Sequence, residues 1–162
     1  MKINKVLIPL DGSTVAEEAL MQALDLTRGR ESTLVLVRAA ESSTWPGMDL
    51  IGEQVRVVRE AEEYLGAVKA DLAAKGLQRV ETSVWYGPPA SAIVEAARVG
   101  KVDLIVMTTH GRSGLGRLVL GSVAEAVLRG TTTPILLHRS DGAPLQAPSG
   151  TAREGTAVET QR

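Results

Sequence analysis

Five short apolar runs alternate with four stretches of helical periodicity along this chain, and that rhythm leaves few folds open. The runs are KVLIPL (Lys5–Leu10), STLVLVRAA (Ser32–Ala40), VETSVWY (Val80–Tyr86), VDLIVMTT (Val102–Thr109) and PILLH (Pro134–His138). Between the first two, Ala16, Ala19, Leu20, Ala23 and Leu24 share one helical face, and Gly29 stands near its end. The second helical stretch covers about residues 50–75, with Val55, Val58, Ala61, Leu65, Val68 and Leu72 three or four apart and Gly76 to close it. The third opens at Gly87-Pro88-Pro89, because proline is tolerated in a first turn, and carries Ala92, Ile93, Ala96 and Ala97. The fourth is SVAEAVLRG. Strands joined through helices predict an α/β fold: a single domain with an open, mostly parallel five-stranded sheet and helices on both faces.

The bulk properties agree with such a domain and remove several function classes. A length of 162 residues suits one domain. Phenylalanine is absent and aromatics are 2% of the chain, so the core must be Leu, Val, Ile and Ala. The formal charge of −1 offers no global basic field, which argues against nucleic acid and a membrane surface as partners. The absence of cysteine excludes disulfides and thiol catalysis and fits a reducing compartment. The first apolar run has only five consecutive apolar residues, too few for a signal segment, and no run reaches membrane-spanning length. A cytoplasmic protein is the expectation.

Residues 1–140 form the expected domain, and 141–162 form a tail. The tail, DGAPLQAPSGTAREGTAVETQR, has one leucine and one valine among small and polar residues. It cannot bury enough surface to offset the entropy of ordering, so disorder is expected. Removing Ala143–Arg162 should shift the thermal melt by no more than a few degrees. A large drop in a calorimetric scan would mean that the tail packs on the domain or across a dimer.

The stretch from Met107 to Ala126, MTTHGRSGLGRLVLGSVAEA, carries the chemistry. It sets four glycines, two arginines and one histidine between a strand and a helix. A Walker A loop would need G-x-x-x-x-G-K-[ST], but Gly111–Leu118 puts Arg117 for the lysine and Leu118 for the hydroxyl. A dinucleotide fingerprint belongs after the first strand, not the fourth. What survives is anion binding: glycines let backbone N–H groups approach phosphate oxygens without a Cβ in the way. Ser122-Val-Ala-Glu125 reads as a capping box, placing a helix start at Gly121–Ser122 with free amides and the positive end of the dipole. Glycine-rich strand-to-helix turns also occur where nothing binds.

THGRSGLGRLVLGS resembles the nucleotide-binding signature of the universal stress protein family. In its ATP-binding branch that signature is G-x-x-G, nine residues, then G-[ST]. Here Gly111, nine residues and Gly121-Ser122 complete the second half, and Thr108 stands at the first glycine. The resemblance runs from IPLDGS to TPILLH. It implies a Rossmann-like sheet of order 3-2-1-4-5 with a ligand crevice where the order reverses. It also implies ATP, alone or with Mg²⁺, held by Pro9, Asp11, Ala39, Thr108, His110, Gly111, Arg112, Gly114, Gly121, Ser122 and Val123. Asp11 would lie near the nucleoside, Ala39 would meet adenine through its backbone, and Gly111, Gly121, Ser122 and Val123 would hold ribose and phosphates.

Each position has a plainer alternative. Asp11 in L-D-G-S also suits a turn or cap. The Thr108 Cβ would crowd a ribose, or its hydroxyl would bond a sugar or phosphate oxygen. His110 would donate to a phosphate or stay solvated, and Arg112 and Arg117 would face a γ-phosphate or water. His138 reads as structural, and Glu60, Glu62 and Glu63 as a solvated helix face. No G-x-S-x-G elbow and no metal-spaced histidines occur. The expected function is a regulatory ATP-binding stress-response protein with slow hydrolysis at most, whose loop alters a surface offered to a protein partner. One rival is a nucleotide-free dimerising module, favoured by Thr108. Another is a hydrolase, for which the loop after the first strand holds only the single glycine of D-G-S-T-V-A. The resemblance also implies a homodimer through Pro134–His138, an apolar edge strand with no lysine to blunt it.

Overall fold

The computed structural model describes residues 2–42, 49–109 and 120–139. Along the chain run β1 (Lys5–Pro9), α1 (Thr14–Thr27), β2 (Thr33–Ala40), α2 (Leu50–Ala74), β3 (Val80–Tyr86), α3 (Pro89–Gly100), β4 (Leu104–Thr108), α4 (Ser122–Gly130) and β5 (Ile135–His138). The strands lie in the order β3-β2-β1-β4-β5, and every neighbouring pair is parallel. The expected five-stranded open sheet of order 3-2-1-4-5 is therefore present. The expected tail falls outside the described residues.

Strand alternation divides the aliphatic core into two layers. Val6, Ile8, Leu34, Leu36, Leu104 and Val106 face α1 and α2. Leu7, Val35, Val37, Ile105 and Met107 face α3 and α4. Adjacent residues of one strand thus serve opposite layers, which is why the central strands read as unbroken apolar runs. Leu7, Ile8, Leu36, Leu65 and Ile105 are fully buried. Each such side chain contributes roughly 1.5–3 kcal/mol through burial.

The predicted helix faces hold with one exception. Ala16, Ala19, Leu20 and Ala23 of α1 are buried, as are Ala92, Ile93, Ala96 and Ala97 of α3. In α2 the buried set is Ala61, Leu65 and Leu72. Val55 is 54% exposed, although it continues the same stripe. The cause is length. With 25 residues α2 is about 37 Å long, whereas the eight residues of β2 reach about 26 Å. The first turns of α2 run past the sheet, and Ile51 there is 77% exposed. Among the described residues, no helix is long and apolar enough to cross a membrane.

Candidate functional site

The sheet order reverses at β1, which has β2 on one side and β4 on the other. The chain leaves β1 for α1 in one layer and β4 for α4 in the other. Diverging connections leave a crevice beyond the carboxyl ends of these two strands. Seven of the expected site residues stand around it: Pro9, Asp11, Ala39, Thr108, Gly121, Ser122 and Val123. His110, Gly111, Arg112 and Gly114 lie outside the described residues, as does Arg117.

β2 outlasts β1. Pro9 is the last residue of β1 and pairs with Val37. Leu10 N donates to the Val37 carbonyl at 2.8 Å. Beyond that point Arg38, Ala39 and Ala40 pair only with β3. The Ala40 carbonyl accepts from Gly87 N at 2.9 Å, on the β3 side. Backbone groups alternate in direction along a strand, so Ala39 turns its amide and carbonyl the way Val37 does. They face the space past the end of β1. Ala39 therefore offers one backbone donor and one acceptor that have no ladder partner among the described residues.

Asp11 opens the loop into α1. Its Oδ1 accepts from Ser13 N at 2.9 Å and from the Ser13 hydroxyl. Ser13 Oγ in turn accepts from Ala16 N at 3.2 Å and caps α1. Asp11 therefore plays the turn role that its sequence allows. Its Oδ2 has no partner among the described residues and remains an available acceptor. Gly12 follows with φ +84°, a left-handed backbone that favours glycine.

The other wall is the start of α4. Thr109 N donates to the His138 carbonyl at 2.9 Å, and the Thr109 carbonyl accepts from Gly121 N at 2.7 Å. These two bonds tie the first residue of the α4 cap to the ends of β4 and β5. Gly121, with φ −54°, is the N-cap, and no side chain caps this helix. The expected capping box does not form. Fixing Gly121 as N-cap makes Ala124, not Glu125, the third helical residue, so the box is one residue out of phase. Glu125 instead pairs with Arg129 at 2.7 Å. The first-turn amides of Ser122, Val123 and Ala124 thus have no side-chain acceptor among the described residues. Ser13 caps α1 and Asp49 caps α2, while α3 also starts without a side-chain cap but has Pro88 and Pro89 at its start, so it offers fewer amides. Val123 and Ala124 pack inward, so any contact they make with a ligand is through backbone; Ser122 is exposed.

Thr108 is buried at 9% exposure, in register with His138. His138 lies 3.4 Å from Glu18 Oε2 of α1, in keeping with a structural role. Among the described residues, no three His, Cys, Asp or Glu side chains gather in a metal-holding group.

Three residues beside the crevice escaped the sequence reading. Arg38 points to the α1–α2 layer, with its guanidinium 4.7 Å from the centre of the Tyr64 ring. The Tyr64 hydroxyl donates to Glu17 Oε1 at 3.2 Å. Burial first, and Glu17 second, push the Tyr64 phenol up to about 12, so it stays a neutral donor at physiological pH. The available signal was one arginine inside an otherwise apolar strand run.

The profile of the universal stress protein family matches residues 2–139. The chain is 35% identical over 140 residues to universal stress protein MJ0531 of Methanocaldococcus jannaschii, covering 83% of this chain and 81% of that one. Among solved structures, protein MJ0577 is 26% identical with a TM-score of 0.74, covering 86% of this chain and 98% of the other. An Arabidopsis thaliana universal stress family protein with AMP bound shares the fold at 14% identity and a TM-score of 0.63, covering 86% and 93%. On sequence, strand order and fold alike, the chain belongs to the universal stress protein family.

Proposed function

We propose that this chain binds ATP, alone or with Mg²⁺, as a regulatory ligand in the crevice between β1 and β4, with hydrolysis slow at most. The observation that carries this reading is the uncapped start of α4, where Ser122, Val123 and Ala124 leave three amides at the positive end of the helix dipole. A triphosphate supplies the missing acceptors. The purine would meet the free backbone edge of Ala39, and Asp11 Oδ2 would accept from a ribose hydroxyl. The AMP bound by the Arabidopsis relative supports a nucleotide as the ligand class. Ligand contact with the glycine stretch would alter a surface offered to a protein partner. A cytoplasmic site of action fits the cysteine-free composition.

Because the α4 amides address the distal phosphates, ATP should bind more tightly than AMP, by about tenfold or more. Isothermal titration with each nucleotide tests this, alongside chromatography of whatever small molecule heat releases from the purified protein. No heat and no thermal shift with millimolar Mg-ATP would defeat the reading. Thr108 favours a second one. A buried β-branched residue stands where the ATP-binding signature has its first glycine, as it would in a nucleotide-free interaction module. Equal, negligible binding of ATP and AMP is the result that module gives.

The assembly proposed with either reading is a two-fold homodimer through β5, which has a strand on one side only.

A further inference from the structure

We propose that Arg38 is a positioning residue that clamps the Asp11–Gly12–Ser13 turn at the mouth of the crevice, and so sets how the site treats a ribose. The clamp is independent of any ligand; its consequence for ribose rests on the nucleotide reading above.

Arg38 has two close neighbours at the mouth of the crevice. One is the Tyr64 ring, with the guanidinium carbon 4.7 Å from its centre. Tyr64 is itself held from α1 through its hydroxyl on Glu17. The other is Gly12. A Cβ there would lie 3.5 Å from Arg38 Nη1 and 3.7 Å from Nη2, so the guanidinium closes the space beside Gly12 at van der Waals distance. Lysine keeps the charge but lacks the flat guanidinium that reaches both neighbours.

Arg38 is not spent on an ion pair. Among the described residues it has no carboxylate partner and no hydrogen bond, while Arg56, Arg98 and Arg129 each pair with a glutamate on their own helix. Burying part of a cation without a paired anion has a cost, and shape is what that position gains. The turn it supports is the one whose Asp11 Oδ1 is fixed by Ser13. Holding Gly12 therefore holds the direction of Asp11 Oδ2, the acceptor left for a ribose hydroxyl.

The test uses Arg38→Ala and Arg38→Lys in the full chain. In the free protein, amide hydrogen exchange at Ser13 should rise about tenfold or more in both variants, as the turn opens locally. Thermal melts should stay within a few degrees of the parent. Unchanged Ser13 exchange in a folded Arg38→Lys overturns the clamp, whatever the alanine variant does. With nucleotide present, the preference for ATP over 2′-deoxyATP should collapse towards one, while the preference for ATP over ADP, set at α4, should be kept. An equal loss for ATP and 2′-deoxyATP overturns the ribose consequence. A parent protein that binds neither nucleotide removes the ligand reading and its ribose corollary, and the exchange measurement still decides the clamp.

Discussion

Gly121→Val is expected to abolish ATP binding and leave the fold standing. The backbone at 121, with φ −54° and ψ 145°, is open to any L-residue, so the substitution carries no torsional strain. The Gly121 amide still reaches the Thr109 carbonyl, and the Gly121 carbonyl still accepts from Glu125 N, because neither bond involves a side chain. What changes is the space in front of Ser122, Val123 and Ala124. Two methyl groups would stand where phosphate oxygens must approach those amides. The expected loss is about a hundredfold or more in affinity, close to 2.8 kcal/mol by the usual 1.4 kcal/mol per tenfold. Calorimetric titration measures the loss, and circular dichroism with a thermal melt checks the fold. Parent-like affinity in a folded variant would place the phosphates elsewhere.

Leu137→Pro should convert the proposed homodimer to a monomer. The register of β5 decides the choice of residue. Ile105 N donates to the Pro134 carbonyl and Thr109 N to the His138 carbonyl, so even-numbered residues of β5 turn their backbone toward β4. Ile135 and Leu137 turn theirs outward, toward the open edge. A partner strand would use those outward groups. Proline at 137 removes one outward N–H and leaves the ladder to β4 intact, since an edge strand tolerates proline where its N–H faces away from the sheet. A side-chain charge at Leu136 is a poorer probe. Leu136 packs into the α1–α2 layer, so Leu136→Lys would disturb the core as well as any interface. Light scattering at tens of micromolar, by order of a weak association constant, decides the point. A parent protein of monomer mass defeats the dimer proposal. A dimer that survives Leu137→Pro moves the interface off this strand.

Much of the architecture was legible in the chain because it is written locally. Val6-Leu7-Ile8 and Ile105-Val106-Met107 are apolar at every position because each strand is covered on both faces, and that pattern needs only a few neighbouring residues to read. Gly29, Gly76 and Pro89 mark helix limits through their own backbone chemistry, and they stand at the ends expected of them. The glycine-rich connection is likewise recognisable locally, since it follows the apolar run of β4 directly in the chain. The family resemblance rested on those local signals as well.

The rest was decided in three dimensions. Periodicity marks Val55 as core, yet only the length of α2 against β2 determines that it lies beyond the sheet. Ser122 and Glu125 are spaced for a capping box, yet the bond from Gly121 N to the Thr109 carbonyl fixes the helix phase one residue earlier. Ala39 offers its backbone to the crevice only because β1 stops at Pro9 while β2 continues. Arg38, Tyr64 and Gly12 come from β2, α2 and the loop before α1, and no spacing rule connects them. Propensity and hydrophobic pattern act within a turn or a strand, so the sequence by itself determined the elements, the aliphatic core and their order of appearance. Which strand end outlasts its neighbour, which amide stays uncapped and which side chains stack follow from packing between distant segments, and the tertiary structure alone decided them.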